Sequence, residues 1–445
     1  MPVPDAEIDQ QYQQAMEYLV GLTKFGMNFG LGRIQELLRR LGNPEKRLQV
    51  VHIGGTNGKG STTAMTAEIL REAGYQVGVF TSPHLHDYRE RIVISGQMIA
   101  KKTVIELVGR LRPHLEEMVA GGFEHPTEFE VHTALALMYF AEQKVDFALI
   151  EVGLGGEIDS TNVVSPLVAV VTNVGMDHMD YLGPDLASIA KVKAGIIKPN
   201  CVAVTAAARP VVLEILRQRA AEVGVNLWVV GESVRWESRW SGELEQEFDL
   251  YGLHSIYPKL RLHLIGAHQL QNAATAVTVC ELLQSEYGVD IPREAVYAGL
   301  RKVQWPGRLE LISFEPKILL DGAHNVDGAQ VLAAALPLFS RRRLILCLGM
   351  LADKEREKVV ELLVPLADEV IVTRPNSYRA GDWETLAEAA ARQGKPVTRI
   401  ADPREAALAG LSRLGPGDML CVTGSLYMLA DAREALLAKL SPREV

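Results

Sequence analysis

Residues Gly54-Gly55-Thr56-Asn57-Gly58-Lys59-Gly60-Ser61-Thr62 form a glycine-rich run. An apolar segment, Val50-Val51-His52-Ile53, precedes it, and a helical pattern, Ala64, Met65, Ala67, Ile69, Leu70, follows. Strand, glycine loop and helix in that order are the setting of a phosphate-binding loop. Glycines let the backbone curl so that successive N–H groups converge on phosphate oxygens. The helix N-terminus adds partial positive charge. Lys59 is placed to reach the terminal phosphates, and Ser61 or Thr62 to offer a hydroxyl to them or to Mg2+. The strict GxxxxGK[ST] spacing is not met: Ile53 stands at its first position, and Gly60 separates the lysine from Ser61. The run therefore predicts a nucleoside triphosphate site of a variant kind.

A chain of 445 residues is expected to hold two or three domains, because single cores rarely grow past about 250–300 residues. Its composition, 48% hydrophobic and 23% charged, is that of a soluble globular enzyme. The net charge of -9, from 46 basic and 55 acidic residues, argues against a large nucleic-acid footprint. Cys201, Cys280, Cys347 and Cys421 sit far apart in apolar runs. They read as buried thiols of a reducing compartment, neither a disulfide frame nor a metal site. The N-terminus is acidic, with no secretory signal, and no apolar run approaches the roughly 20 residues needed to span a bilayer. The expected location is the cytoplasm, without membrane attachment.

Beyond the glycine run, short segments rich in Val and Ile recur: Val77–Phe80, Phe147–Val152, Leu167–Val174, Val202–Thr205 and Leu227–Val230. Near-continuous apolarity suggests strands buried on both faces, as in a parallel sheet. Helical patterns such as Val131–Gln143 and Pro210–Val223 separate them. The alternation predicts a doubly wound α/β domain. Within residues 232–264, Trp236, Trp240, Phe248, Tyr251 and Tyr257 alternate with polar residues, which predicts a small antiparallel excursion. Gln304-Trp305-Pro306-Gly307-Arg308 reads as a boundary. A second βα series follows, with strands expected at Ile318–Leu320, Leu344–Leu348, Val370–Thr373, Val397–Ile400 and Met419–Val422. The expected division is a nucleoside triphosphate-binding domain over 1–302, a linker over 303–308 and a smaller Rossmann-like α/β domain over 309–445.

In doubly wound sheets the polar residues just after strands face the ligand crevice. Here they are Ser82, Glu151, Asp177-His178, Asp321 to Asn325, and Thr423-Gly424-Ser425. A lone carboxylate at the end of so apolar a strand is costly unless compensated. Glu151, His178 and Ser82 could supply a mixed ligand set for Mg2+ or Mn2+ beside phosphates. The alternative is a loop-capping Glu151 and an ordinary polar His178. Lys193 by pattern is a solvated helix lysine. Arg308 is either a surface arginine or a phosphate clamp. Thr127 to Glu130 fits a helix capping box.

Taken in order, these segments resemble one family. Gly55-Thr56-Asn57-Gly58-Lys59-Gly60-Ser61, Glu151-Val152-Gly153-Leu154-Gly155-Gly156, Asp159-Ser160-Thr161-Asn162, Asp177-His178-Met179-Asp180-Tyr181-Leu182-Gly183, Lys193-Ala194-Gly195-Ile196, Pro306-Gly307-Arg308, Asp321-Gly322-Ala323-His324-Asn325 and Gly424-Ser425 resemble the folate branch of the Mur ligase superfamily. That branch contains the folylpolyglutamate synthases and bifunctional dihydrofolate synthases. The series spans almost the whole chain. It implies an ADP-forming amide ligase. ATP phosphorylates a substrate carboxylate, and the amino group of L-glutamate attacks the acyl phosphate. The acceptor would be a reduced folate or dihydropteroate. The runner-up is another ligase of the superfamily, acting on a cell-wall nucleotide precursor.

The resemblance assigns roles residue by residue. Asn57, Gly58, Lys59, Gly60, Ser61 and Thr62 would hold the ATP phosphates. Asn272 and Arg308 would contact ATP, with Asp321 near the ribose. Ser82, Glu151 and His178 would ligate Mg2+, with two metal sites in all. Lys193 would be a carbamylated lysine supporting the second metal. His324 and Ser425, with Arg91, would place the incoming glutamate; Lys59, Lys193 and His324 carry the chemistry. The pterin would lie near Gly26-Met27-Asn28, Thr127-Glu128-Phe129-Glu130 and Ile158-Asp159-Ser160. Ser160 and Glu128 depart from many relatives and bear on acceptor choice. The family implies a monomer.

Overall fold

The computed structural model describes residues 5–26 and 28–440. The strands in chain order are β1 (Val50–Gly54), β2 (Val77–Phe80), β3 (Ile92–Ile94), β4 (Gln97–Met98), β5 (Phe147–Glu151), β6 (Pro166–Val171), β7 (Val202–Thr205) and β8 (Leu227–Val229). They continue as β9 (Arg235–Ser241), β10 (Gln246–Tyr251), β11 (Ile256–Leu262), β12 (Glu310–Phe314), β13 (Lys317–Leu320), β14 (Leu344–Leu348), β15 (Glu369–Val372), β16 (Val397–Arg399) and β17 (Met419–Thr423). They build three sheets, ordered β4-β3-β2-β5-β1-β6-β7-β8, β11-β10-β9 and β12-β13-β17-β14-β15-β16.

In the first sheet β2, β5, β1, β6, β7 and β8 run parallel. Every residue of β1 and β5 is buried, as continuous apolarity predicts for a strand covered on both faces. The edge pair β3 and β4 is antiparallel and carries no clear pattern in the sequence. The apolar run at Leu167–Val174 forms a strand only to Val171. Its last residues turn away to carry the loop that anchors the phosphate site. The three antiparallel strands over 235–262 agree with the excursion read from the aromatic alternation. In the third sheet β13, β17, β14, β15 and β16 are parallel, and β12 joins antiparallel to β13. No helix among the described residues is long and apolar enough to cross a membrane.

Helices pack on both faces of the two large sheets. The helix Ala267–Tyr287 is buried at every residue from Asn272 to Leu283. That burial matches its lack of a polar face. It packs on the first sheet against β6 and β7, beside the helix Lys59–Glu72 that follows the glycine loop and itself rests on β1, β2 and β5. The helix Arg293–Lys302 crosses Lys59–Glu72 at Gly299, where a Cβ would come within 2.6 Å of Ile69 Cα. Backbone cannot yield as a side-chain tip can. Gly299→Ala is therefore expected to destabilise the fold by about 1–3 kcal/mol, seen as a lower urea midpoint at unchanged slope.

Candidate active site

The glycine loop leaves β1 at the centre of the first sheet, where the strand order reverses, the usual ligand crevice of such sheets. Gly58 sits at φ +83 as the cap of the helix Lys59–Glu72, and a Cβ there would meet Asn272 Oδ1 at 2.5 Å. The loop is tied to the segment after β6. Asn173 O accepts from Thr56 N at 2.9 Å, Asn173 Oδ1 accepts from Asn57 N at 2.8 Å, and Thr172 Oγ1 donates to Asn57 O at 2.7 Å. Lys59 Nζ folds back onto Gly55 O (3.2 Å) and Thr56 O (3.1 Å). Gln269 Nε2 donates to Ser61 Oγ (3.3 Å), and Asn272 Nδ2 to Gln269 Oε1 (2.9 Å). A cavity of about 320 Å³ opens above this loop. Asn57, Gly58, Lys59, Gly60, Ser61, Asn272, Arg308 and Asp321 all line it. Thr62 is fully buried beneath the loop, outside the cavity, and its hydroxyl has no partner among the described residues. Both Asp321 oxygens accept backbone N–H groups, from Leu309 and from Ala323, each at 2.9 Å.

Strand register explains the two buried ionisable groups beside the loop. Ile53 pairs with Glu151, so the carboxylate emerges level with the start of the loop. Glu151 is 5% exposed, and its one hydrogen bond among the described residues is a long one from Ser82 N at 3.4 Å. Burial pushes its pKa up to about 7, with Lys59 opposing the shift. Lys193 is 4% exposed and donates to Gly55 O at 2.9 Å, the carbonyl that also serves Lys59. Desolvation, then the Lys59 charge, brings its pKa down to about 7. Lys193 is thus no solvated helix lysine. His178, in the left-handed region at φ 53, has its pKa lowered to about 4, chiefly by burial. Among the described residues no three His, Cys, Asp or Glu side chains converge as a metal site. Glu151, His178 and Ser82 do line one cavity. An undercompensated carboxylate, a neutral imidazole and a hydroxyl suit a hard cation that keeps water and phosphate oxygens as its remaining ligands.

A second cavity, about 390 Å³, adjoins the first. Ser82, Gly153, Leu154, His178 and His324 belong to the walls of both. Gly26, Asn28, Arg91, Thr127, Glu128, Phe129, Ile158, Asp159, Ser160 and Ser425 line it; Met27 lies outside the described residues. Glu130 does not line it. Its carboxylate accepts from Thr127 N at 2.7 Å and pairs with Arg33 at 3.2 Å, so the Thr127/Glu130 capping box is the reading that describes Glu130. Asp159 is buried among donors: Leu154 N (2.7 Å), Thr161 N (3.0 Å) and the Thr161 hydroxyl. Lys354 and Arg379, which the sequence reading did not single out, also line this cavity. They follow β14 and β15, so the strand-end rule that pointed to Asp321 and Ser425 points to them as well.

The two large sheets meet through Asp177, 8% exposed. Its carboxylate accepts from Lys354 Nζ at 2.5 Å and from Asn325 Nδ2 at 3.1 Å, and lies 3.6 Å from His324 Nε2. Burial raises its pKa, but the neighbouring His324 and the Lys354 charge outweigh that and hold it well below the ordinary range. Asn325 also pairs with Asn57 of the phosphate loop through both amide atoms, at 3.1 and 3.3 Å.

A phosphate loop, a buried carboxylate and lysine beside it, and a cation-walled second cavity define a nucleotide-dependent enzyme with its chemistry between two α/β layers. Residues 53–280 match the Mur ligase middle domain, and residues 307–426 the Mur ligase glutamate ligase domain. A dihydrofolate synthase/folylpolyglutamate synthase of Bacillus subtilis is 38% identical over 427 residues, 96% of this chain and 99% of that protein. The Mycobacterium tuberculosis folylpolyglutamate synthase complexed with ADP and AMPPCP superposes with a TM-score of 0.87 at 32% identity, over 98% of this chain and 100% of that one. The Escherichia coli FolC structure in complex with DHPP and ADP gives 0.86 at 28% identity, over 96% and 98%. The chain belongs to the Mur ligase family, in its dihydrofolate synthase/folylpolyglutamate synthase branch. It is an ATP-dependent ligase.

Proposed function

We propose that this chain joins L-glutamate to a carboxylate of a reduced folate, and to dihydropteroate, with conversion of ATP to ADP and phosphate. The observation that carries the reading is the shared wall of the two cavities, which puts the end of a phosphate chain next to a cavity large enough for an acceptor and an amino acid. A carboxylate is a poor electrophile until one oxygen becomes a leaving group, and transfer of the γ-phosphoryl group provides that. Such transfer asks for positioning and charge spreading more than covalent work. Lys59, Ser61 and the loop N–H groups hold the phosphates, and Arg308 meets them from the other side. Ser82, Glu151 and His178 would hold Mg2+, which when bound would supply neutralisation of the charge on the phosphates. Lys193 would carry a carbamate on its unprotonated amine.

The acceptor heterocycle lies against Phe129, Ile158 and Ser160, and the carboxylates of the glutamate face Lys354 and Arg379. His324 Nδ1 is 2.8 Å from Gly322 O. A carbonyl only accepts, so Nδ1 carries the proton and Nε2 is free to take one from the attacking amine. Asp177, 3.6 Å from that same Nε2, stabilises the positive charge the ring then carries. Closure around the acyl phosphate keeps water from hydrolysing it. In this reading residues 1–302 bind ATP, residues 309–445 bind the amino acid, and the protein works as a cytoplasmic monomer.

The test is ADP release measured with MgATP, glutamate and each of dihydropteroate, tetrahydrofolate and its polyglutamates. Turnover is expected only when acceptor and glutamate are both present. If every folate leaves ATP untouched while a muramyl nucleotide precursor is ligated, the acceptor assignment fails.

A further inference from the structure

The Arg91 guanidinium is held by imidazoles. Its Nε–H donates to His84 Nδ1 at 2.8 Å, and Nη1–H lies 3.2 Å from His132 Nδ1. A guanidinium has donors only, so both Nδ1 atoms must be bare. His84 and His132 are therefore neutral, each with its proton on Nε2. Burial lowers the pKa of His132, and the Arg91 charge lowers it further. His132, 1% exposed, is fixed by the edge of Tyr88 at 4.8 Å. Its Nε2 makes no hydrogen bond among the described residues and lies 3.7 Å from Glu128 Oε1.

The arrangement has a consequence for charge. An arginine held by aspartate or glutamate is oriented and neutralised together. Two neutral acceptors orient it without an ion pair; among the described residues Arg91 forms none, and the Glu128 carboxylate acts on it only at longer range. Arg91 lines the acceptor cavity with N–H groups still unspent, and a planar fork of that kind matches a carboxylate. We propose that His84 and His132 are positioning residues that aim Arg91, held outside any ion pair, at a substrate carboxylate. This rests on the ligase reading, in which the incoming glutamate and the folate acceptor both bring carboxylates to the cavity.

Steady-state kinetics of the full chain carrying His84→Leu, His84→Asn, His132→Leu or His132→Asn test the proposal. Asparagine keeps an acceptor near the Nδ1 position, whereas leucine keeps bulk alone. Each leucine variant is expected to raise one KM, for glutamate or for the folate, about tenfold. The KM for ATP should stay put and kcat should move less, with the asparagine variants largely restored. A rise for glutamate assigns Arg91 to the amino acid, and a rise for the folate assigns it to the acceptor. Arg91→Lys keeps the charge and loses the fork; it should show the same selective rise, and it covers the case in which a leucine variant fails to fold. The proposal is overturned if leucine and asparagine variants behave alike, if the KM for ATP rises in step, or if Arg91→Lys leaves both carboxylate KM values unchanged. Absence of turnover in the unmodified chain would instead overturn the ligase reading.

Discussion

Lys193→Ala is expected to lower turnover on the order of a thousandfold, while ATP binding stays near its original strength. Lys193 has little to do with grip on the nucleotide, because its ammonium sits under the phosphate loop on Gly55 O, with Lys59 on the same carbonyl. Two lysines at one oxygen in a dry site repel each other. The pKa of about 7 records both the burial and that repulsion. The folded-state pKa is depressed, so the neutral amine is well populated at physiological pH. A neutral amine adds CO2 with loss of one proton, giving a carbamate anion. On Lys193 that step would replace a repelled cation by an anion beside Lys59, at a place where an anion would help hold a second metal. Lys193→Arg separates this account from a simple need for positive charge, since a guanidinium cannot lose its proton. Arginine should be as inactive as alanine. Depleting CO2 should slow the unmodified enzyme, with recovery on adding bicarbonate. Full activity in Lys193→Arg would remove the carbamate from the mechanism.

Much of the site was legible because strand ends are legible. Continuous apolar runs mark buried parallel strands, and the first polar residues beyond them face the crevice. Ser82, Glu151, His178, Asp321 and Ser425 were all found that way, and all border one of the two cavities. Lys354 and Arg379 follow the same rule but sit several residues past their strands, so proximity in sequence hid them. The short edges β3, β4 and β12 were missed because edge strands need no continuous apolar pattern. Glu130 shows the opposite failure. A signature that travels with a binding site carried along a residue whose carboxylate caps its own helix. Nor could the sequence show that Asn57 would pair with Asn325, since contacts between sheets depend on how the two layers dock.

Glu151→Gln is expected to stabilise the metal-free protein at pH 8 and at the same time to lower turnover roughly a thousandfold. In the folded chain the carboxyl pKa rises from 4.5 to about 7, mainly through desolvation. A group with a raised folded pKa contributes stability that is complete below about 4.5 and lost as pH climbs through about 7. Above that range the folded protein holds a charge in the interior with one long hydrogen bond and a lysine for company. The whole shift corresponds to about 3 kcal/mol. Glutamine keeps the shape, carries no charge and can still accept from Ser82 N. Urea titrations in chelator should therefore show Glu151→Gln gaining on the unmodified protein between pH 5 and pH 8, with little difference at pH 5. Mg2+ with ATP should stabilise the unmodified protein more at pH 8 than at pH 6, because the cation binds the ionised form, and should do little for the glutamine variant. If raising the pH does not separate the two proteins in chelator, Glu151 is compensated by its neighbours and the reason to place a cation beside it disappears. If the pH effect is seen and the variant still turns over normally, the buried charge is real but the cation sits elsewhere. A variant that is both more stable and inactive is the signature of a residue whose strain is kept for the reaction.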